Sequence, residues 1–324
     1  MDVKKTLILI LAAIPTGIAV GAVDAVFGRV LRFEDAPRIM LITGMSAGFA
    51  GLFRTPFAAT AFAMEVLTAG RLEHRALLPA ATAALCASAT SGLLGLEIFT
   101  FAVTELPDWN AELLIKLAVL GLAFGLAGAA FTYLLKKCKK EAQTRLKNPI
   151  LRTFVMGLAL SAVLLILWRG RYSGLGTNLI NASLAGGTVY AWDWAAKLVL
   201  TALTLSAGYQ GGEVTLLFSI GASLGAAASG LIGLPAALCA AMGYAAVFGS
   251  ATNTLIAPAL IGAEVFGWAA APYMLVTCAL AYAVTGTAPF TRARGKGKTA
   301  IFAALHRKYR RKQPEFVLQR VRRA

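Results

Sequence analysis

Apolar residues along this chain gather into long runs separated by short polar breaks. The runs fall at about Thr6–Val26, Arg38–Gly51, Pro56–Ala69, Leu77–Phe99, Glu112–Leu135, Ile150–Leu167 and Trp194–Ala207, then at Val214–Ile232, Pro235–Phe248, Leu255–Phe266 and Ala269–Val284. Each predicts a helix. Several are shorter than the roughly 20 residues a helix needs to cross a bilayer. Many are divided by Gly, Pro or Asn, as at Phe53-Arg54-Thr55-Pro56, Gly211-Gly212 and Gly249-Ser250-Ala251-Thr252-Asn253. Non-helical backbone at membrane depth is tolerated only where protein buries it or where it lines a watery cavity. Short, interrupted helices therefore predict a transporter or channel, with its substrate meeting helix ends inside the membrane.

Composition sharpens the picture. The chain is 58% hydrophobic and only 14% charged over 324 residues, with a mean hydropathy of +0.71. Soluble domains carry about 25% charged residues, so a soluble enzyme, a disordered binder and a secreted disulfide scaffold are excluded. The expected class is an all-α polytopic membrane protein. Cys86, Cys138, Cys239 and Cys278 lie far apart with no CxxC pair, and the three in apolar stretches read as small buried side chains. Cys138, between lysines, reads as a solvated thiol or a site for palmitate. The two histidines, His74 and His306, cannot build a histidine-rich metal site, and no metal or cofactor is expected.

The net charge of +16 is local. From Arg292 onward there are twelve basic residues against Glu315 alone, and from Lys136 to Arg152 seven against Glu141. Both clusters follow apolar runs, which makes them positive-inside signals rather than a nucleic-acid surface. No Lys or Arg occurs between Ala76 and Ile115, where Glu105, Asp108 and Glu112 mark an external loop. The expected organisation is a membrane domain over 1–291, in halves of about 1–110 and 111–291, and a basic cytoplasmic tail over 292–324. That tail interleaves Phe302, Leu305, Tyr309, Phe316 and Val321 with charge, so an amphipathic helix lying on the membrane surface is open to it. The first run is expected to be a retained helix, because no small-residue cleavage site follows it.

The halves echo one another. Gly48-Phe49-Ala50-Gly51-Leu52-Phe53 returns as Gly243-Tyr244-Ala245-Ala246-Val247-Phe248. Each copy is followed by a break, a small-residue stretch and a Glu-Val pair, Glu65-Val66 and Glu264-Val265; the second break reads four residues longer. Duplicated halves are common in transporters.

Gly211-Gly212-Glu213-Val214-Thr215-Leu216-Leu217-Phe218 carries the most chemistry. Two glycines ahead of an apolar helix bring the backbone close to a ligand. The first N–H groups of that helix are unpaired and together carry about +0.5 of an elementary charge. In a low-dielectric pore this is an anion site that needs no lysine, from which a permeating ion can still leave. Thr215 or Glu213 could instead cap the first turn. The position after Ala207-Gly208-Tyr209-Gln210, among broken helices, favours the anion.

These residues resemble the GGEVTPLF signature of the fluoride-exporting branch of the CLC anion channels and transporters. Gly44–Met64 is similar to the GxxAGFxxxFxTPxA segment, Tyr172–Gly176 to YxGLG, Ala246–Thr254 to AVFxGAANTP and Glu264–Gly267 to ELFG. The resemblance implies the CLC inverted-repeat architecture and a homodimer that moves a halide, fluoride or chloride, together with protons. It places the amides of Glu213 and Val214 before the central anion. Glu213 and Thr215 stand at positions where the fluoride branch has polar residues taking part in proton and fluoride transfer, and Phe218 and Phe248 would lie beside the ion. Val66 occupies the place of the internal proton-relay glutamate of chloride/proton antiporters. Glu65 and Glu264 would lie at the dimer interface. Asn253 either caps a broken helix or lines the pathway.

Departures from the family pattern are equally legible. The GREGT-like segment with its gating glutamate is missing, and Gly21–Leu31 runs almost directly into Glu34-Asp35-Ala36-Pro37, a solvated turn that caps the next helix. The front half thus reads as shortened by about three membrane elements. Leu216 and Leu255 replace two signature prolines. Thr285–Thr291 lacks the expected tyrosine, leaving Phe290 nearby. The implied function is CLC-type anion transport in a bacterial-type inner membrane. The alternative is a non-transporting CLC-like subunit or scaffold. A membrane enzyme is not expected, since the two dispersed histidines supply no nucleophile–base set and the sequence holds no HExxH.

Overall fold

The computed structural model describes residues 36–67, 72–166, 170–209 and 211–286. The run Thr6–Val26, the turn at Glu34-Asp35, Phe290 and the tail from 292 onward lie outside them. Every regular element among the described residues is helical: α1 (Ala36–Phe53), α2 (Pro56–Val66), α3 (Leu77–Leu93), α4 (Ala111–Arg145), α5 (Pro149–Ile166), α6 (Thr177–Leu184), α7 (Asp193–Ala207), α8 (Glu213–Ile232), α9 (Ala236–Thr252), α10 (Ile256–Phe266) and α11 (Ala271–Gly286). By length and composition, five helical stretches can cross a membrane: His74–Leu93, Ala111–Arg145, Pro149–Ile166, Glu213–Ile232 and Trp268–Thr285. Exposed leucines and isoleucines on α5, such as Leu158, Leu165 and Ile166, form a surface suited to lipid rather than to water.

The centre is the antiparallel pair α8 and α9. Gly221 and Gly243 meet at their crossing, where a Cβ on either would overlap the carbonyl of the other. Small residues let two helix backbones approach this closely, the main source of cohesion between helices in lipid. On the flanks, α4 and α11 pack on α9, α1 packs on α3, and α2 lies along α10.

Besides α6 (Thr177–Leu184), which falls in no apolar run of the sequence, two helices differ from the sequence expectation. The apolar run ending at Leu135 continues as helix through the basic stretch to Arg145. Lys, Glu, Ala and Gln are good helix formers, so leaving the apolar core does not end the helix. At its start, the Asn110 side chain accepts from the Leu113 N–H at 2.7 Å. Second, the break expected over Gly249–Asn253 is helical as far as Thr252 and turns only at Asn253, with φ 59°. Gly249 is there for packing, since a Cβ would strike Pro258. Ser250 donates to the Gly125 carbonyl of α4 at 2.9 Å, and Thr252 to the Phe248 carbonyl at 2.8 Å. The two repeat breaks are thus nearly equal in length.

The loop before α4 also supports the core. Phe101 and Val103 N–H donate to the Val265 and Phe266 carbonyls at 2.9 and 3.2 Å, satisfying the bare end of α10. Tyr273 OH donates to the Pro107 carbonyl at 2.7 Å. Of the cysteines, Cys239 and Cys278 are buried, while Cys86 is exposed. The expectation of burial fails at Cys86 because α3 buries a single line, Ala80 and Ala84, and Cys86 lies off it.

Candidate anion site

α7 ends at Gly208, whose φ of 114° turns the chain. The backbone then reaches Gly211 and Gly212, and α8 begins at Glu213 with Gly212 as its N-cap. Among the described residues no side chain caps this helix. Neither Thr215 nor Glu213 closes the first turn, so the amides of Glu213, Val214 and Thr215 stay available. Gly211 and Gly212 are exposed, and no heavy atom of the described residues lies within 4 Å of where a Cβ would stand on either. Glu213, Val214 and Thr215 are half-buried. Among the described residues nothing covers the glycine pair at the start of α8.

Beneath that turn, about 8 Å along α8 at 1.5 Å per residue, Phe218 is fully buried. Its ring stacks on Tyr244 at 3.9 Å between centroids and meets Phe248 edge-on at 5.1 Å and Phe53 at 5.8 Å. Phe62 adds a ring 5.3 Å from Phe248, and Phe49 lies 4.6 Å from Phe53. The structure thus brings Phe218 and Phe248 together and adds Phe49, Phe53, Phe62 and Tyr244. Ring edges carry partial positive charge, so such a cluster can present a weakly electropositive surface without a formal cation. The repeat held the signal: Phe49 and Phe53 correspond to Tyr244 and Phe248.

Asn253 is the C-cap of α9, and its buried Oδ1 has no hydrogen-bond partner among the described residues. The antiparallel packing puts it at the same end of the pair as Glu213, with its carbonyl oxygen unclaimed. Glu65 and Glu264 do something the sequence did not suggest. Glu65 accepts from the N–H groups of Leu255 (2.6 Å), Ile256 (3.1 Å) and Ala257 (3.2 Å). Glu264 accepts from Phe57 (3.2 Å) and Ala58 (2.7 Å). Each carboxylate caps the start of the other helix.

The Tyr172–Gly176 motif is held by charged residues that sequence reasoning missed. Asp193, with no exposed surface, accepts from Arg171 Nη2 (2.6 Å), Tyr172 OH (2.7 Å) and Tyr190 N–H (2.9 Å). Burial, and then the bond to Asp193, push the Tyr172 phenol up to about 12, which keeps it a donor. Lys197 is equally buried and donates to the Tyr172 and Gly174 carbonyls, both at 2.8 Å. A buried charge needs such partners. Only the oddity of Lys197 in an apolar run could have flagged this cluster.

The sequence matches the family described as voltage gated chloride channel over residues 6–286. The chain belongs to the CLC family. Among CLC proteins it is 34% identical over 291 residues to a chloride/fluoride channel protein of Pseudomonas syringae pv. tomato, covering 88% of this chain and 62% of that one. It is 26% identical over 277 residues to the voltage-gated ClC-type chloride channel ClcB of Salmonella dublin, covering 81% and 65%. The crystal structure of a CLC-type fluoride/proton antiporter superposes with a TM-score of 0.78 at 49% identity, over 80% of this chain and 66% of that one. A slow cyanobacterial Cl-/H+ antiporter shares the fold, with a TM-score of 0.69 at 19% identity. The chain spans 62–68% of the length of these relatives, and the architecture it does contain is that of CLC transporters.

Proposed function

We propose that this CLC protein moves a small halide across a membrane, fluoride in exchange for protons first and chloride second. The observation that carries the reading is the uncapped start of α8, with nothing among the described residues covering Gly211 and Gly212. Bare amides with partial positive charge attract an anion, and the aromatic cluster at Phe218 and Phe248 lies directly beneath. Glu213 and Thr215 sit in the same turn, where a carboxylate can exchange a proton close to the ion; Asn253 contributes at the same end. The 49% identity with a CLC-type fluoride/proton antiporter favours fluoride. The protein works as a homodimer through the face of α2 and α10, whose small residues suit close helix contact. There Glu65 and Glu264 hold the interface helices from within. The setting is an inner membrane, with the basic tail over 292–324 on the cytoplasmic side.

The test is efflux from proteoliposomes. Loaded fluoride leaves faster than chloride, and a proton gradient drives fluoride uphill. Glu213→Gln abolishes the proton coupling while leaving the protein folded and dimeric. A dimer with no selective efflux would instead be the scaffold alternative.

A further inference from the structure

We propose that Arg152 is an anion-collecting residue at the approach to the glycine pair; this rests on the transport reading above. Arg152 is the fourth residue of α5. Its guanidinium donates weakly to the Leu146 carbonyl at 3.4 Å. Its buried Nε has no acceptor among the described residues, and no described carboxylate lies within ion-pair distance of it. A half-buried cation without an anion is costly unless something mobile supplies the charge.

The neighbourhood says what that is. Arg152 Nη2 lies 3.9 Å from where a Cβ would stand on Gly208. Thr153 Oγ1 donates to the Ala207 carbonyl at 2.9 Å, and Tyr209 OH donates back to the Thr153 carbonyl at 3.3 Å. Gly157 is bare where the Tyr209 hydroxyl lies. The segment leading to the glycine pair is therefore pinned to the first two turns of α5, and the guanidinium moves with it. Three residues from Gly208 to Gly211 span at most about 11 Å, beyond the screening length of about 8 Å at physiological ionic strength but well inside that of about 30 Å at about 0.01 M salt. At low ionic strength the Arg152 charge is felt at the mouth, where it offsets the Glu213 carboxylate that would otherwise repel an approaching anion. A cation at the end of α7 also complements that helix dipole, which is a purely structural role, and the experiment separates the two.

Sodium fluoride binding to the purified full chain is measured by calorimetry, and fluoride efflux from proteoliposomes in parallel, across a range of ionic strength. The expected result is that Arg152→Gln weakens fluoride affinity and raises KM roughly fivefold at low ionic strength, with the maximal rate kept. The difference shrinks as salt is added; Arg152→Lys behaves as the parent, and so does Arg145→Gln, whose side chain already pairs with Glu141. The unmodified protein itself binds fluoride more weakly as salt rises, a readout that needs no variant. The proposal is overturned if that salt dependence is absent, if Arg152→Gln lowers only the maximal rate, or if Arg152→Lys is as damaged as Arg152→Gln. A protein that binds fluoride without moving it sinks the transport reading alone, and the affinity arm still decides Arg152. One that neither binds nor moves fluoride sinks both.

Discussion

The two repeat breaks, one at Arg54 and the other at Asn253, solve one problem with different residues. Both place a non-glycine residue at positive φ, 54° and 59°, then a buried threonine, then a short helix with a glutamate eleven residues past the turn. Asparagine visits this conformation more easily than arginine. Arg54 is held there by the bond from its Nη1 to the Leu96 carbonyl at 2.9 Å. The capping sites also differ. Pro56 at the start of α2 offers no N–H, so Glu264 serves two amides; Leu255 at the matching place gives Glu65 a third. Glu65 is 7% exposed, whereas Glu264 is half-buried. The lesson is that an inverted repeat need not be symmetric in energy. The loss of a signature proline at Leu255 strengthened one of the two crossings.

That asymmetry can be broken in steps. The largest effect is expected for Glu65→Leu, which orphans three amides at the α10 start. With charge-assisted bonds at about 1.5–3 kcal/mol each, roughly 5 kcal/mol of stability is lost, read as a fall in the melting temperature of the detergent-solubilised protein. Glu264→Leu costs about half as much, because the Phe57 amide can turn to water. Equal losses would show that the third donor contributes nothing. Next, Leu255→Pro removes the 2.6 Å donor and fits poorly at the observed φ of −112°, costing about 2 kcal/mol. In that background the Glu65 and Glu264 variants should become alike. The smallest effect is at the turns. Asn253→Gly and Arg54→Gly each relieve a positive φ by up to about 1 kcal/mol, but Arg54→Gly also forfeits its bond to Leu96, so Asn253→Gly melts at or above Arg54→Gly.

Much of this was legible in the sequence. Among the described residues the runs named every helix but α6, Gly211-Gly212 named the uncapped start of α8, and the echo of Gly48–Phe53 in Gly243–Phe248 pointed to paired breaks. Where reading failed, local composition competed with packing. Gly249–Thr252 looked like a break because glycine, serine and threonine disfavour helix in isolation, yet each is used there against a neighbour: Pro258, Gly125 or the helix's own carbonyl. The Asp193–Lys197 cluster was missed because its partners lie on other segments, Arg171 and Tyr172 among them.

What the sequence determined by itself was the solvent this protein folds in, the places where its helices stop, and the stretch whose amides stay bare. Those are local properties, set by transfer free energy and by backbone geometry within a few residues. Tertiary structure alone decided that Glu65 and Glu264 cap one another's helices, that six aromatic rings from four helices converge under Glu213, and that Arg152 stands beside Gly208. Each joins residues far apart along the chain, and only the packing of whole helices fixes which distant groups share a dielectric pocket.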